Sequence, residues 1–272
     1  MKMKSIVIIL IGVFVTIHAK AQNSEIMVFE KLTLEVPVNE LGTFIQSHKT
    51  IMDISLKSDS RTFVGQYMAA HRYAGKHSIT LYNVYESVED INSDDMWTPI
   101  RNHADSLAAI DSSLAGEFSS MVGAWWNRFL EGHNDEIRTL RTNGFGNGNW
   151  EDPLVIVYSY YSPKWADMNT FIGYWEQLQP AYEQCGYVQA SRSSTHYSGS
   201  GPTVETLTAF NSWEDLAAWE ANYKSCFETH VENYEEINGK YWDIAGDHWD
   251  EILIPVGQSK DGEFVLSEHF NK

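Results

Sequence analysis

Two kinds of hydrophobic pattern alternate along this chain, and they do so twice. In the second half, Leu154 to Ser162 is dense in β-branched and aromatic residues and stops at Pro163, which predicts a strand. Lys164 to Gln184 changes to helical spacing, with Phe171, Trp175 and Leu178 on one side. Tyr187 to Tyr197 is extended and alternating, Ser198 to Pro202 is a turn, and Thr203 to Phe210 is the next strand. Ser212 is placed to cap a helix running to about Ile237, with Glu214 and Asp215 in its first turn. Glu251 to Val256 is a last strand closed by Gly257. The first half predicts the same series: strand Ile26 to Val36, helix Val38 to Leu56, strands Thr62 to Tyr73 and Ser78 to Tyr85, a long helical region to about Leu130, and strand Glu136 to Arg141.

Each half therefore reads β-α-β-β-α-β, and short segments recur in order. Leu41-Gly42-Thr43-Phe44-Ile45 returns as Met168-Asn169-Thr170-Phe171-Ile172. Tyr85-Glu86-Ser87-Val88-Glu89-Asp90-Ile91 returns as Phe210-Asn211-Ser212-Trp213-Glu214-Asp215-Leu216. His133-Asn134-Asp135-Glu136-Ile137 returns as His248-Trp249-Asp250-Glu251-Ile252, and the three offsets are 127, 125 and 115. These repeats divide the chain into a first repeat over 22–142, a Gly/Asn-rich linker over 143–152 and a second repeat over 153–272. The strand-turn-strand unit followed by [Tyr/Phe]-x-Ser-x-Glu-Asp-[Ile/Leu] at a helix start resembles the dimeric α+β barrel superfamily, here in tandem. The resemblance covers about Ile26 to Val256. It implies an α+β fold of two ferredoxin-like βαββαβ repeats, packed as an intramolecular dimeric α+β barrel around a cavity. The superfamily holds monooxygenases, haem enzymes, isomerases, cyclases and dehydratases, so the fold sets no reaction.

Composition changes the picture mainly at the N-terminus. Lys2 and Lys4, the apolar run Ile6 to Ile17 and Ala19-Lys20-Ala21 read as a cleaved signal peptide over 1–21, hence a secreted or periplasmic protein. No second apolar run is long enough to span a bilayer. A formal charge of −18 argues against a nucleic-acid partner. Cys185 and Cys226 are the only cysteines, and the sequence leaves a disulfide and two free thiols equally open.

Candidate chemistry follows from strand alternation. At the offset of 127, Lys31, Thr33 and Glu35 align with Tyr158, Tyr160 and Ser162, giving both first strands a polar face that would line a wet cavity. On the second strands, His71-Arg72-Tyr73 aligns with Thr195-His196-Tyr197, and Arg192 shares the face of His196. Arg192 is the only arginine of the second half, which points to a carboxylate partner. The repeated His-x-Asp adds His248, and Trp249 beside it could stack on a ligand. Trp125, Trp126, Trp213, Trp219 and Trp242 are expected in the core, and Trp150, Trp165 and Trp249 near loops.

These groups define an acid–base site with no metal and no cofactor. His196, Tyr197, Tyr158, Tyr160, His71 and Tyr73 are the candidate catalytic groups, and Arg192, Lys31, Arg72, Trp249 and His248 the candidate substrate contacts. Elimination beside a carboxylate needs a base, an acid and a cation, and this set offers all three. The expectation is an exported lyase or dehydratase acting on uronate-containing oligosaccharides, working as a monomer through one pocket dominated by the second half. The alternatives are a non-catalytic periplasmic ligand- or haem-binding protein and a cofactor-free monooxygenase.

Overall fold

In a computed structural model that describes residues 27–71, 78–146 and 155–268, the alternating segments become strands and the helical-period segments helices. The strands are β1 (Val28–Leu34), β2 (Gly65–His71), β3 (Ile79–Tyr85), β4 (His133–Phe145), β5 (Val155–Tyr161), β6 (Ala190–Gly199), β7 (Val204–Phe210), β8 (His248–Lys260) and β9 (Glu263–Leu266). The helices are α1 (Leu41–Ser55), α2 (Val88–Ser93), α3 (Trp97–Ile110), α4 (Ser112–Glu131), α5 (Met168–Gln184), α6 (Trp213–His230) and α7 (Tyr234–Ile244). The expected signal peptide, Arg72, Tyr73 and Trp150 lie outside the described residues.

The strands run β2-β3-β1-β4-β6-β7-β5-β8-β9, and a further β2–β8 pairing closes the first eight into an antiparallel barrel. Closure depends on the length of β8. Its start pairs with β5 (Tyr161↔His248 to Ile156↔Leu253), its middle with β2 (His71↔Leu253 to Tyr67↔Gln258) and its end with β9. The other seam is β4–β6, where Gly199 lies beside Glu136. Gly199 takes φ +95°, and a Cβ there would meet the Asp135 carbonyl oxygen at 2.5 Å, so glycine is what brings these strands together.

Alternation sorts the strand residues into two environments. Phe29, Tyr82, Ile156, Tyr158, Tyr160, Ala190, Ala209 and Leu253 form the core inside the barrel. Outside, helices cover the sheet. Leu34, Ile45, Ile51, Met52, Leu81 and Trp125 form one outer core, and Val155, Leu178, Phe210, Trp219 and Phe227 another. The helix starts follow the sequence signal, because Ser87 Oγ accepts from Asp90 N–H and Ser212 Oγ from Asp215 N–H. A disulfide joins Cys185 to Cys226, tying the end of α5 to α6 across 41 residues. No helix among the described residues is long and apolar enough to cross a membrane.

Four local expectations need correction. The long helical region of the first half is three helices, broken at Asp94 and Asp111, whose backbones turn extended. The helix expected to reach Ile237 stops at His230, and α7 restarts after Asn233 at φ +57°. The linker is shorter than expected, since Phe145 still pairs with Ser191. Trp242 is 48% exposed rather than core.

Candidate functional site

The barrel interior is built around charge. Lys31, from β1, is 4% exposed and donates to Glu205 Oε1 of β7 at 2.6 Å. Glu136 Oε1 lies 3.5 Å from the same ammonium. Arg138, fully buried two residues along β4, donates to Glu136 Oε2 at 2.8 Å, and its Nε lies 3.1 Å from Glu205 Oε2. Two cations thus face two carboxylates, and these four charges cancel. Burial raises the Glu205 carboxyl, against the opposing pull of Lys31 and Arg138. Burial also acts on Glu136, but Arg138 and Lys31 outweigh it and hold that carboxyl low.

Tyrosines complete the interior. Lys31 Nζ sits 5.0 Å and 4.6 Å from the ring centroids of Tyr158 and Tyr160. Tyr160 donates to Glu251 Oε2 at 2.7 Å, and His71 Nδ1 lies 3.5 Å from that carboxylate. The Trp249 ring stacks on Tyr160 at 4.9 Å, and His196 Nδ1 lies 3.5 Å from Glu136. Burial, reinforced by Glu205, raises both Tyr158 and Tyr160 well above the usual phenol range. They are neutral hydrogen-bonding groups at ordinary pH and not the activated bases that an elimination requires.

The candidate residues fall in three places. Lys31, Tyr158, Tyr160, His71, His196 and Trp249 gather along the lumen. Tyr197 is 58% exposed. His248 stands outside the barrel, its Nε2 3.1 Å from Asp250 Oδ1 and its ring stacked on Tyr161. Arg192 does share the lumen side with His196, but its guanidinium is engaged by backbone carbonyls. It donates to Ser191 O at 2.8 Å and also to Phe145 O and Gly146 O. The cation expected to receive a substrate carboxylate is thus already committed, as are Lys31 and Arg138.

Two clefts lie outside the barrel, one in each half, between sheet and helices. The first, about 310 Å³, is lined by Glu30, His48, Gln66 and Asn83 and by the rings of Trp97, Trp125, Trp126 and Phe129. The second, about 320 Å³, is lined by Tyr161, Tyr182, Trp219, Tyr241 and His248. The repeated His-x-Asp reaches both: His133 and Asp135 line the first, His248 and Asp250 the second.

The first cleft carries a directed hydrogen-bond chain that ends on a carboxylate. Trp125 Nε1–H donates to His48 Nδ1 at 3.3 Å. That leaves His48 Nε2 to donate to Gln66 Oε1 at 2.8 Å. Gln66 Nε2 then donates to Asn83 Oδ1 at 2.7 Å, and Asn83 Nδ2 to Glu30 Oε2 at 2.9 Å. Every donor points toward the carboxylate. His48 is held neutral because burial lowers its pKa to about 4. Glu30 is raised above the ordinary glutamate value chiefly by burial, with Asp135 and Asp94 adding to the effect. At the repeat offsets, the places of Glu30, His48, Gln66 and Asn83 are taken by Val157, Trp175, Ser191 and Thr208. The chain of hydrogen bonds therefore belongs to the first half. Apart from Trp125, which the sequence places in the core, none of its members was singled out, because they stand on α1, β1, β2 and β3 with no common spacing.

Both ring nitrogens of His48 are engaged, so this buried imidazole has no lone pair for a haem iron. No group of three or more His, Cys, Asp or Glu placed to hold a metal occurs among the described residues.

Barrel, lumen and covered outer faces define an α+β barrel protein, and the solved structures it resembles are dimeric α+β barrel proteins. An anthrone oxidase-like protein matches at TM-score 0.57 and 11% identity, over 90% of this chain and 97% of that one. A candidate monooxygenase from Lactobacillus acidophilus NCFM matches at TM-score 0.51 and 12% identity, over 90% of this chain and 100% of that one. Another, from Fusobacterium nucleatum, matches at TM-score 0.51 and 9% identity, over 90% and 99%. No protein-family model matches the chain, and no curated protein sequence matches it.

Proposed function

We propose that the protein is an oxygenase in which the substrate itself supplies the electrons to O₂, with the first cleft as its active site and Glu30 as its base. The observation that carries this is the Glu30 carboxylate. It is raised toward neutrality in an aromatic-walled cleft, and Asn83 holds its Oε2 so that Oε1 is left to take a proton. The rings of Trp97, Trp126 and Phe129 suit a flat, electron-rich polycyclic such as an anthrone or a naphthol. The fold likeness to an anthrone oxidase-like protein points the same way.

For an anthrone-type CH₂ the steps balance. Glu30 removes one proton, and the carbanion passes one electron to O₂. The radical pair joins into a C–O bond, and Glu30 returns its proton to the terminal oxygen. Loss of the second C–H proton breaks the O–O bond, so CH₂ and O₂ become C=O and H₂O.

The same reading covers the coarser architecture. Strand orders β2-β3-β1-β4 and β6-β7-β5-β8 match, which supports two ferredoxin-like repeats playing the part of two subunits. The disulfide supports an oxidising compartment and so the export suggested by residues 1–21. The uronate-lyase expectation finds no comparable support, because Lys31 is paired with carboxylates and Arg192 is held by backbone carbonyls. Incubation with an anthrone under ¹⁸O₂ tests the proposal: mass spectrometry should find one labelled oxygen in the quinone product. Absence of product across anthrones, naphthols and hydroquinones would overturn it.

A further inference from the structure

The lumen contains a second space that the oxygenase reading does not use. A cavity of about 200 Å³ lies inside the barrel, with Phe29, Val84, Leu140, Ile156 and Leu207 among its apolar walls. β6 and β7 contribute two alanines to its wall, Ala190 and Ala209, which face each other across the strand ladder. Its polar wall is made by Tyr67, Tyr158, Arg192, Ser193, Ser194 and Glu205. An apolar cavity of about 150 Å³ is already large enough for benzene.

We propose that this cavity is a binding site for a small neutral aromatic molecule of one or two rings bearing a single hydrogen-bond donor, such as a phenol or an indole. Three observations carry the proposal. The exposed wall is mostly apolar and the volume fits one or two fused rings. Glu205, 1% exposed, has one carboxylate oxygen, Oε2, that accepts no hydrogen bond among the described residues. Arg138 Nε is near it at 3.1 Å but donates to Ser194 Oγ at 2.9 Å. Such an oxygen is costly to leave without a donor, and a ligand O–H or N–H supplies one. Finally, Lys31 and Arg138 already balance Glu136 and Glu205, and the Arg192 guanidinium in the wall is held by the carbonyls of Phe145, Ser191 and Gly146, so a neutral donor is the chemistry that fits.

The site is separate from the first cleft, on the opposite face of the sheet, which makes the two distinguishable. Isothermal titration with indole, and ¹⁹F NMR of 4-fluorophenol, should show saturable binding to the full chain. The Ala209→Leu variant, which fills the cavity with apolar side chain, should weaken it at least tenfold, and Ala190→Leu gives a second filling variant should the first misfold. Glu30→Gln should leave this binding unchanged while removing oxygen consumption. Toluene, of similar size but without a donor, should bind at least tenfold more weakly than phenol. Unchanged binding in both folded filling variants, loss of binding in Glu30→Gln, or equal binding of toluene and phenol would each overturn the proposal.

Discussion

At the scale of single residues, burial decides which groups can do chemistry. His48 makes this testable through stability. Its folded pKa of about 4 lies below the unfolded value of about 6.5, so the unfolded chain binds the extra proton between those limits. Stability is therefore fully present above pH 6.5 and lost as pH falls toward 4, by about 3 kcal/mol if the whole shift is realised. Urea unfolding at pH 7 and pH 4.5 should show this loss in the wild type and much less of it in His48→Gln. Lys31 makes the opposite point. Lys31→Met would leave Glu205 and Glu136 with one buried cation between them, and should cost about 3–5 kcal/mol of unfolding free energy.

Part of this was legible in the sequence. A period of two put Lys31, Tyr158 and Tyr160 on inward faces, and they do line the lumen. Their partners were missed although a signal existed: Glu136 and Arg138, two apart on a strand, share a face and carry opposite charge. Glu205 was hidden among apolar neighbours in Val204-Glu205-Thr206-Leu207. The chain from Trp125 to Glu30 was not legible at all, since its five residues come from five elements and meet only after the sheet forms.

At the scale of elements, strands and helices were read correctly wherever one period ran unbroken, and misread at punctuation. The β8–β9 hairpin was absent from the sequence reading, yet Asp261-Gly262 takes φ +52° and +81°, the pair of positive angles a tight two-residue hairpin turn requires. The Asp-Gly dipeptide before Glu263-Phe264-Val265-Leu266 was the available signal. That hairpin has a role, because Phe264 is buried beside His48, with ring centroids 5.0 Å apart, and so walls the first cleft's imidazole from water. Spacing alone could not choose between a disulfide and free thiols at Cys185 and Cys226, because the Cα–Cα distance of 6.1 Å depends on how α5 and α6 pack. Closing a 41-residue loop predicts a contribution of about 4 kcal/mol. Thermal unfolding of Cys226→Ser should show a markedly lower Tm, and reductant should lower the Tm of the wild type but not of the variant.

At the scale of the whole molecule, the repeat builds two similar clefts and one shared lumen, and substitution has made the clefts unequal. The sequence reading expected the second half to dominate, on the strength of its tyrosines. Those tyrosines are raised by burial, Tyr182 and Tyr241 among them, and serve as packing and hydrogen-bonding groups. The first half instead holds Glu30, a carboxyl raised chiefly by burial. Under the proposed oxygenase reading, oxygen consumption needs ionised Glu30, so its acid limb should lie above the ordinary glutamate range and activity should rise with pH through that limb.

The most direct measurement is O₂ uptake, followed with an oxygen electrode, by the wild-type protein, Glu30→Gln and His248→Ala given the same anthrone. Uptake of one O₂ per substrate by the wild type, a fall of about 100-fold or more in Glu30→Gln and near-wild-type rates in His248→Ala are the predicted outcome. Uptake that survives in Glu30→Gln but is lost in His248→Ala would contradict the assignment of the reaction to the first cleft.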